Sequence, residues 1–292
     1  MNKSYNNDST YIKDFQAVFK RHPSNSFVAV AKRRQIFKIF DNFIDSKSVK
    51  SPYLFLIGES GIGKTALMAN YILTKSSSFI YYFIEYCSRD TLYPEAFIKH
   101  IYFSLGKIYG LSNSVLNLEI YDLVELLKKR LHEVANICKK QKYTQVIIID
   151  ALDESITDAS NSGYHINSII DVLNCLDIPD NFRILISSSR ELTEITLQEL
   201  YYQTIIMAGN EQSNKADIYK YFHDNLLKYN YSEEEIEKLA ENSEGNFQYA
   251  SFVIQTIRKK GKNFIFFLLN RPPGLFKLYE LKLVSCQHNV IG

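Results

Sequence analysis

The chain has 292 residues, 46% of them hydrophobic, which is enough to bury one large core or a core with a smaller attachment and excludes a disordered chain. Its 34 basic and 32 acidic residues leave a formal charge of +2, so there is no broad electrostatic footprint for DNA or RNA. No apolar run is long enough to span a membrane, and the polar amino terminus lacks the apolar stretch of a secretory signal. The cysteines, Cys87, Cys138, Cys175 and Cys286, lie far apart without metal-site spacing, and a cytoplasmic setting is expected.

Residues 1–26 are polar and then basic, which reads as a flexible lead. From Phe27 to Ile44 the apolar positions Ile36, Phe37, Phe40, Phe43 and Ile44 recur at helical spacing, which predicts an amphipathic helix. Ser46 to Pro52 is the loop into an apolar run, Tyr53 to Ile57, that reads as a buried strand.

Directly behind that strand stands GESGIGKT, Gly58 to Thr65, the pattern of a phosphate-binding loop. Gly58 lets the chain turn off the strand and Gly63 lets the backbone approach a phosphate closely. Gly61 reads as adding only flexibility. Backbone amides from Gly61 to Lys64 are expected to form an anion nest, with the positive end of the following helix aimed at the same anion. Lys64 then reaches the β and γ phosphates, and Thr65 offers its hydroxyl to a magnesium ion. The cofactor-binding set is therefore Gly58, Glu59, Ser60, Gly61, Ile62, Gly63, Lys64, Thr65 and Ala66. The apolar positions Ala66, Leu67, Ala69, Ile72 and Leu73 continue as a helix.

Phe79 to Tyr86 is apolar and aromatic without helical gaps and predicts a second strand. A helix from Pro94 places Phe97, Ile101, Leu105 and Ile108 on one face. After Gly110, a second helix carries a stripe from Ile120 to Cys138 with its charges outside. Gln145 to Asp150 predicts a central strand, Tyr164 to Leu176 a helix, Phe182 to Ser188 a fourth strand and Thr204 to Met207 a fifth. Strands alternating with helices predict an α/β fold, a doubly wound parallel sheet. Beyond Gly209 the pattern is helical alone: Asn214 to Leu227, Ser232 to Glu241, Phe247 to Arg258 and Asn263 to Leu269. Ser232 with Glu235 forms a capping box. The domains expected are a core over 27–209, a helical lid over 210–276 and, over 277–292, the truncated start of a further region or a tail.

Two further elements carry chemistry. Val146 to Ser155, VIIIDALDES, ends a strand in Asp150 and continues with Asp153 and Glu154. A phosphate-binding loop needs such a partner: Asp150 holds the magnesium ion opposite Thr65, and Asp153 or Glu154 polarises the water that attacks the γ phosphate. Arg190 stands just past the fourth strand, at the kind of strand end where ligands bind in such sheets. It either senses the γ phosphate by a charge-assisted contact or pairs on the surface with Glu191 or Glu194.

With GESGIGKT, IIIDALDE and SSSRE in this order, the chain resembles the NACHT type of STAND P-loop ATPases over about residues 27–280. ADIYKYF, SEGNFQYASFVIQTI and RPPGLFKLY resemble that class's helical lid and the approach to a winged-helix region. The resemblance implies Lys64 and Thr65 at phosphate and metal, Asp150 at magnesium, Asp153 and Glu154 in hydrolysis, and Arg190 as sensor. Two patterns depart from the family's. Val30, Ala31, Lys32 and Arg33 stand where many members have a Gly-Arg-Glu type motif, and Gly245, Asn246 and Phe247 lack the proline usual in the lid. No effector or sensor region is expected within these 292 residues. The function implied by the resemblance is an ATP/ADP and Mg2+-dependent signalling switch, as in innate immunity or defence, that slowly hydrolyses ATP and self-associates or works with partner chains. The alternatives are a nucleotide-binding core without useful turnover, as a truncated relic or interaction module, and a P-loop small-molecule kinase.

Overall fold

Continuous apolar runs become strands here because a run without polar gaps can be buried on both faces. The computed structural model describes residues 31–75, 78–85, 89–113, 118–155, 166–189, 203–209 and 212–261. In it β1 (Tyr53–Gly58), β2 (Ile80–Phe83), β3 (Gln145–Asp150), β4 (Phe182–Ser188) and β5 (Gln203–Met207) form one sheet in the order β2-β3-β4-β1-β5. β2, β3, β4 and β1 are parallel neighbours, which opens the carboxyl ends of β1, β3 and β4 onto one edge. The parallel α/β fold expected from the sequence is present. The expected lead over 1–26, Arg190 and the helix over Asn263–Leu269 lie outside the described residues.

Helices cover both faces. α1 (Ala31–Asp45) and α2 (Lys64–Thr74) flank β1 in the chain; α3 (Pro94–Tyr109), α4 (Ile120–Gln141) and α5 (Ile169–Cys175) come after them. Every residue of β1, β3 and β4 is buried. On one face Phe55, Ile149 and Ile186 belong to the same core as Phe97 of α3, Leu127 of α4 and Leu173 of α5. Elsewhere Phe40 of α1 meets Tyr71 of α2 edge-on at 5.0 Å between centroids, a geometry aromatic pairs favour. Arg183 ties the exit of α1 to β4, its Nε donating to the Phe43 carbonyl at 3.1 Å and its Nη2 to Ser46 at 2.7 Å.

Two elements are shorter than their apolar patterns. The expected helix from Tyr164 starts at Ile169, and residues 166–168 are not helical. Ser168 is the reason: its hydroxyl accepts from the Asp171 amide at 3.2 Å, and the Asp171 carboxylate accepts from the Ser168 amide at 2.9 Å. That reciprocal pair fixes the helix start. The expected strand to Tyr86 ends at Phe83. After Ile84 donates to the Asp150 carbonyl, the Glu85 amide is taken at 2.9 Å by the Thr91 hydroxyl, which ends the ladder.

His100 on α3 donates from Nε2 to the Tyr81 carbonyl at 2.9 Å. Burial pushes its imidazole pKa down to about 4, so at neutral pH it is an uncharged packing group rather than a proton carrier.

The chain divides into two compact units. One holds residues 36–57 and 68–206, with the sheet core and α3 to α5. The second holds Gly58–Leu67 and the segment from Met207 onward. In the second, α6 (Gln212–Leu226), α7 (Glu233–Asn242) and α8 (Phe247–Lys260) pack around Phe222, Leu226, Leu239, Val253 and Ile254. The expected capping box opens α7, with the Ser232 hydroxyl accepting from the Glu235 amide at 3.2 Å and the Glu235 carboxylate from the Ser232 amide at 2.8 Å. Among the described residues no helix is long and apolar enough to cross a membrane.

Candidate functional site

In the second unit the glycine loop is built from backbone outward. At Gly58 a Cβ would lie 2.7 Å from the Met207 carbonyl oxygen, so only glycine admits that approach. The Gly63 carbonyl accepts from the Leu67 amide at 3.0 Å, which makes Gly63 the residue before the first turn of α2. The amides of Lys64, Thr65 and Ala66 then have no carbonyl one turn back within the helix. They form its positive end, the arrangement that suits an anion.

Lys64 is buried, with 8% of its surface exposed. Its ammonium donates to the Gly58 carbonyl at 2.6 Å and the Glu59 carbonyl at 3.0 Å, so it is held at the mouth of its own loop. Thr65 is half-buried, and Glu59 and Ser60 are exposed. Ile62 and Ala66 are buried and anchor the loop by packing, so their place in the expected binding set rests on their backbone.

The loop is also bound to α8. The Asn246 side chain donates from Nδ2 to the Ser60 carbonyl at 2.8 Å, while its Oδ1 accepts from the Tyr249 amide at 3.0 Å and caps α8. The Phe247 amide donates to the Gly61 carbonyl at 2.8 Å. Gly61 therefore does more than add flexibility. Its φ is +81°, a conformation that side chains strain against, and a Cβ there would collide with Asn246 Oδ1. Sequence reasoning overlooked Asn246 as well as this role of Gly61.

In the first unit the strand register builds the acidic end of β3. Ile149 pairs with Ile186, so Asp150 and Ser187, one step further on, stand side by side on the same face. The Ser187 hydroxyl donates to Asp150 Oδ1 and accepts from the Ala151 amide at 2.9 Å. On the other side the Asp150 carbonyl accepts from the Ile84 amide at 3.2 Å. Asp150, 2% exposed, is thus held from both neighbouring strands.

Ala151 turns the chain with φ +58°, at a cost of about 1 kcal/mol for a residue other than glycine. A single 3-10 turn, Leu152–Ser155, comes next, anchored by buried Leu152 and closed by Ser155 donating to the Leu152 carbonyl at 2.7 Å. It carries Asp153 and Glu154, both half-buried. Asp153 accepts from Ser189 twice, from the amide at 2.9 Å on Oδ1 and from the hydroxyl on Oδ2. Sequence reasoning missed both serines. The available signal was the run Ser187, Ser188, Ser189 closing an apolar strand parallel to the acidic one.

Among the described residues no group of three His, Cys, Asp or Glu side chains could hold a metal by itself. A divalent ion at Asp150 would therefore complete its shell with hydroxyl, water or phosphate oxygens, the ligands magnesium prefers.

The family described as "Nephrocystin 3, N-terminal" matches residues 37–189. The chain belongs to that family. The matched span takes in the glycine loop, Asp150, Asp153, Glu154, Ser187 and Ser189, and stops before the helices of the second unit. No curated protein sequence matches the chain. Among solved structures, the Walker-type ATPase PABY2304 of Pyrococcus abyssi is similar at a TM-score of 0.54 with 13% identity, over 88% of this chain and 75% of that one. Cdc6p of Pyrobaculum aerophilum is similar at 0.51 with 13% identity, over 85% and 67%. The Drosophila ORC, solved bound to DNA, gives 0.51 with 16% identity, over 90% and 66%. At such identities the likeness is one of fold, and it agrees with the loop in making this member of the nephrocystin 3 N-terminal family a P-loop NTPase fold.

Proposed function

We propose that the chain is an ATP-binding and slowly hydrolysing switch of the NACHT-type STAND kind, in which exchange of ADP for ATP moves a helical lid and permits self-association. Its NTPase core is taken as residues 27–209 and the lid as 210–276, with 277–292 the start of a further region or a tail. The observation that carries this reading is the grip of α8 on the glycine loop, through Asn246 on Ser60 and Phe247 on Gly61. Any shift of those two carbonyls when a phosphate enters the loop is passed directly to the start of a lid helix.

The assignments follow from each group's chemistry. The Lys64 ammonium neutralises the β and γ phosphates, and the first-turn amides of α2 bind them. The Thr65 hydroxyl and the Asp150 carboxylate would be the chain's donors to a magnesium ion, which would supply positive charge to those phosphates. The carboxylate of Asp153 or of Glu154 polarises the attacking water, and Arg190 senses the γ phosphate. A switch needs contacts that differ between its two ligands, and the loop carbonyls bound to α8 are where such a difference is read.

Light-scattering mass measurement of the full chain tests the switch. With ADP and Mg2+ the mass should be the smaller, and with a non-hydrolysable ATP analogue it should rise by a whole number of copies. Equal masses in the two states would sink the switch reading.

A further inference from the structure

Within the glycine loop, Glu59 to Ile62 makes a β-turn, the Ile62 amide donating to the Glu59 carbonyl at 3.3 Å. Gly61 is its third residue, and its φ of +81° is that of a type II turn. The commoner type I turn has a φ of about −90° at that place. The two types differ by rotating one peptide plane, the plane between Ser60 and Gly61, through roughly half a turn, and glycine accepts either orientation at little cost. A loop that binds phosphate with its amides is not indifferent to the choice. The peptide is trans and planar, so its carbonyl and its amide point opposite ways. Whichever side the Ser60 carbonyl faces, the Gly61 amide faces the other.

The side is set from α8. Asn246 Nδ2 donates to the Ser60 carbonyl at 2.8 Å, which aims that carbonyl at α8 and the Gly61 amide away from it. The orientation of the Asn246 amide follows from both neighbours, since the Tyr249 amide must meet Oδ1 and a carbonyl must meet Nδ2. Asn246 is itself held in place. Its own amide closes a turn on the Ser243 carbonyl at 2.8 Å, with Glu244 and Gly245 at φ +51° and +85°, and Asn214 Nδ2 donates to the Gly245 carbonyl. A helix cap needs only an acceptor. Asn246 carries a donor as well, and that donor goes to the loop.

We infer that Asn246 is a positioning residue of the phosphate loop: by holding the Ser60 carbonyl it turns the Gly61 amide to the side that takes a diphosphate, so that α8 sets the loop's affinity for phosphate. This rests on the nucleotide-binding reading above and deepens it. Binding free energies are reciprocal, so a diphosphate that needs the Gly61 amide strengthens the hold of α8 as α8 strengthens the diphosphate.

Asn246→Ser separates this role from capping. Serine caps about as well as asparagine, but its hydroxyl stands one atom short of the amide nitrogen and leaves the Ser60 carbonyl without that donor. Titration calorimetry of the full chain with ADP and with inorganic pyrophosphate, each with Mg2+, compares the parent, Asn246→Ser and Asn246→Ala. Both variants should bind each ligand about three- to tenfold more weakly, the scale on which one hydrogen bond shifts the share of binding-competent loop. Pyrophosphate should lose as much as ADP, because the amide concerned meets phosphate and neither base nor sugar. Melting should set the variants apart, with Asn246→Ser close to the parent and Asn246→Ala lower. Parent-like affinity in Asn246→Ser would overturn the inference and leave Asn246 a cap alone. A loss for ADP with none for pyrophosphate would overturn it as well, by placing the effect at the nucleoside.

Magnetic resonance of the full chain with isotopically labelled glycine, free of nucleotide, reads the peptide plane directly. The Gly61 amide should show exchange broadening on the microsecond-to-millisecond scale in Asn246→Ser and none in the parent; an amide equally sharp in both would overturn the inference. A parent chain that binds neither ligand would defeat the nucleotide reading, and the Gly61 amide would still report whether Asn246 sets its orientation.

Discussion

Replacing Lys64 by alanine should weaken ATP binding by about a hundredfold or more while leaving the chain folded. Lys64 is buried at the first turn of α2, and its ammonium already sits on the Gly58 and Glu59 carbonyls. A phosphate entering the loop gains a charge-assisted partner in a partly dry setting, and such bonds are worth about 1.5–3 kcal/mol each. Two phosphates sharing the ammonium bring the loss to the hundredfold scale. Arginine should not restore binding, because its planar fork does not fit a place shaped for a compact ammonium. Titration with a fluorescent ATP analogue measures the effect, and a melting curve within a few degrees of the parent shows that the fold survives. Unchanged affinity in Lys64→Ala would mean that the loop does not hold the phosphates.

The second large effect falls on stability. Gly61→Val puts a β-branched side chain where φ is +81° and where a Cβ would collide with Asn246. Backbone strain costs about 1–2 kcal/mol, and displacing Asn246 removes the cap of α8, worth about 1 kcal/mol. Together about 2–3 kcal/mol should lower the melting temperature by roughly 5–10 °C for a chain of this size. Asn246→Ala should lower it by less, as it loses the cap without the strain. Adding Asn246→Ala to Gly61→Val should cost little more, because the two changes break the same contact. If Gly61→Val melted like the parent, the grip of α8 on the loop would not exist in solution.

These two residues mark where the sequence was legible. The strand, the loop and the helix that Lys64 opens could be read because their pattern is local: an apolar run, glycines, a lysine and a threonine in one stretch need no knowledge of the rest of the chain. β1, β3 and β4 were legible for a similar reason, since apolar runs without gaps must be buried on both faces. The role of Gly61 was hidden because its partner Asn246 is remote in the chain, and an asparagine before a helix has a sufficient local explanation as a cap. Serine carries no periodic signal, so Ser187 and Ser189 emerged only once the register of β3 and β4 placed each beside an aspartate. The early stop of β2 and the late start of α5 were set by Thr91 and Ser168, polar side chains that capture backbone groups and override an apolar pattern.

The most direct test of the magnesium role proposed for Asp150 is the magnesium dependence of ATP affinity, measured by titration calorimetry on the full chain and on Asp150→Asn. In the parent, Mg2+ should tighten ATP binding by about tenfold, equivalent to about 1.4 kcal/mol. In Asp150→Asn the affinity without Mg2+ should be unchanged and the gain from Mg2+ should be largely lost. A full magnesium effect persisting in Asp150→Asn would contradict the magnesium role proposed for Asp150.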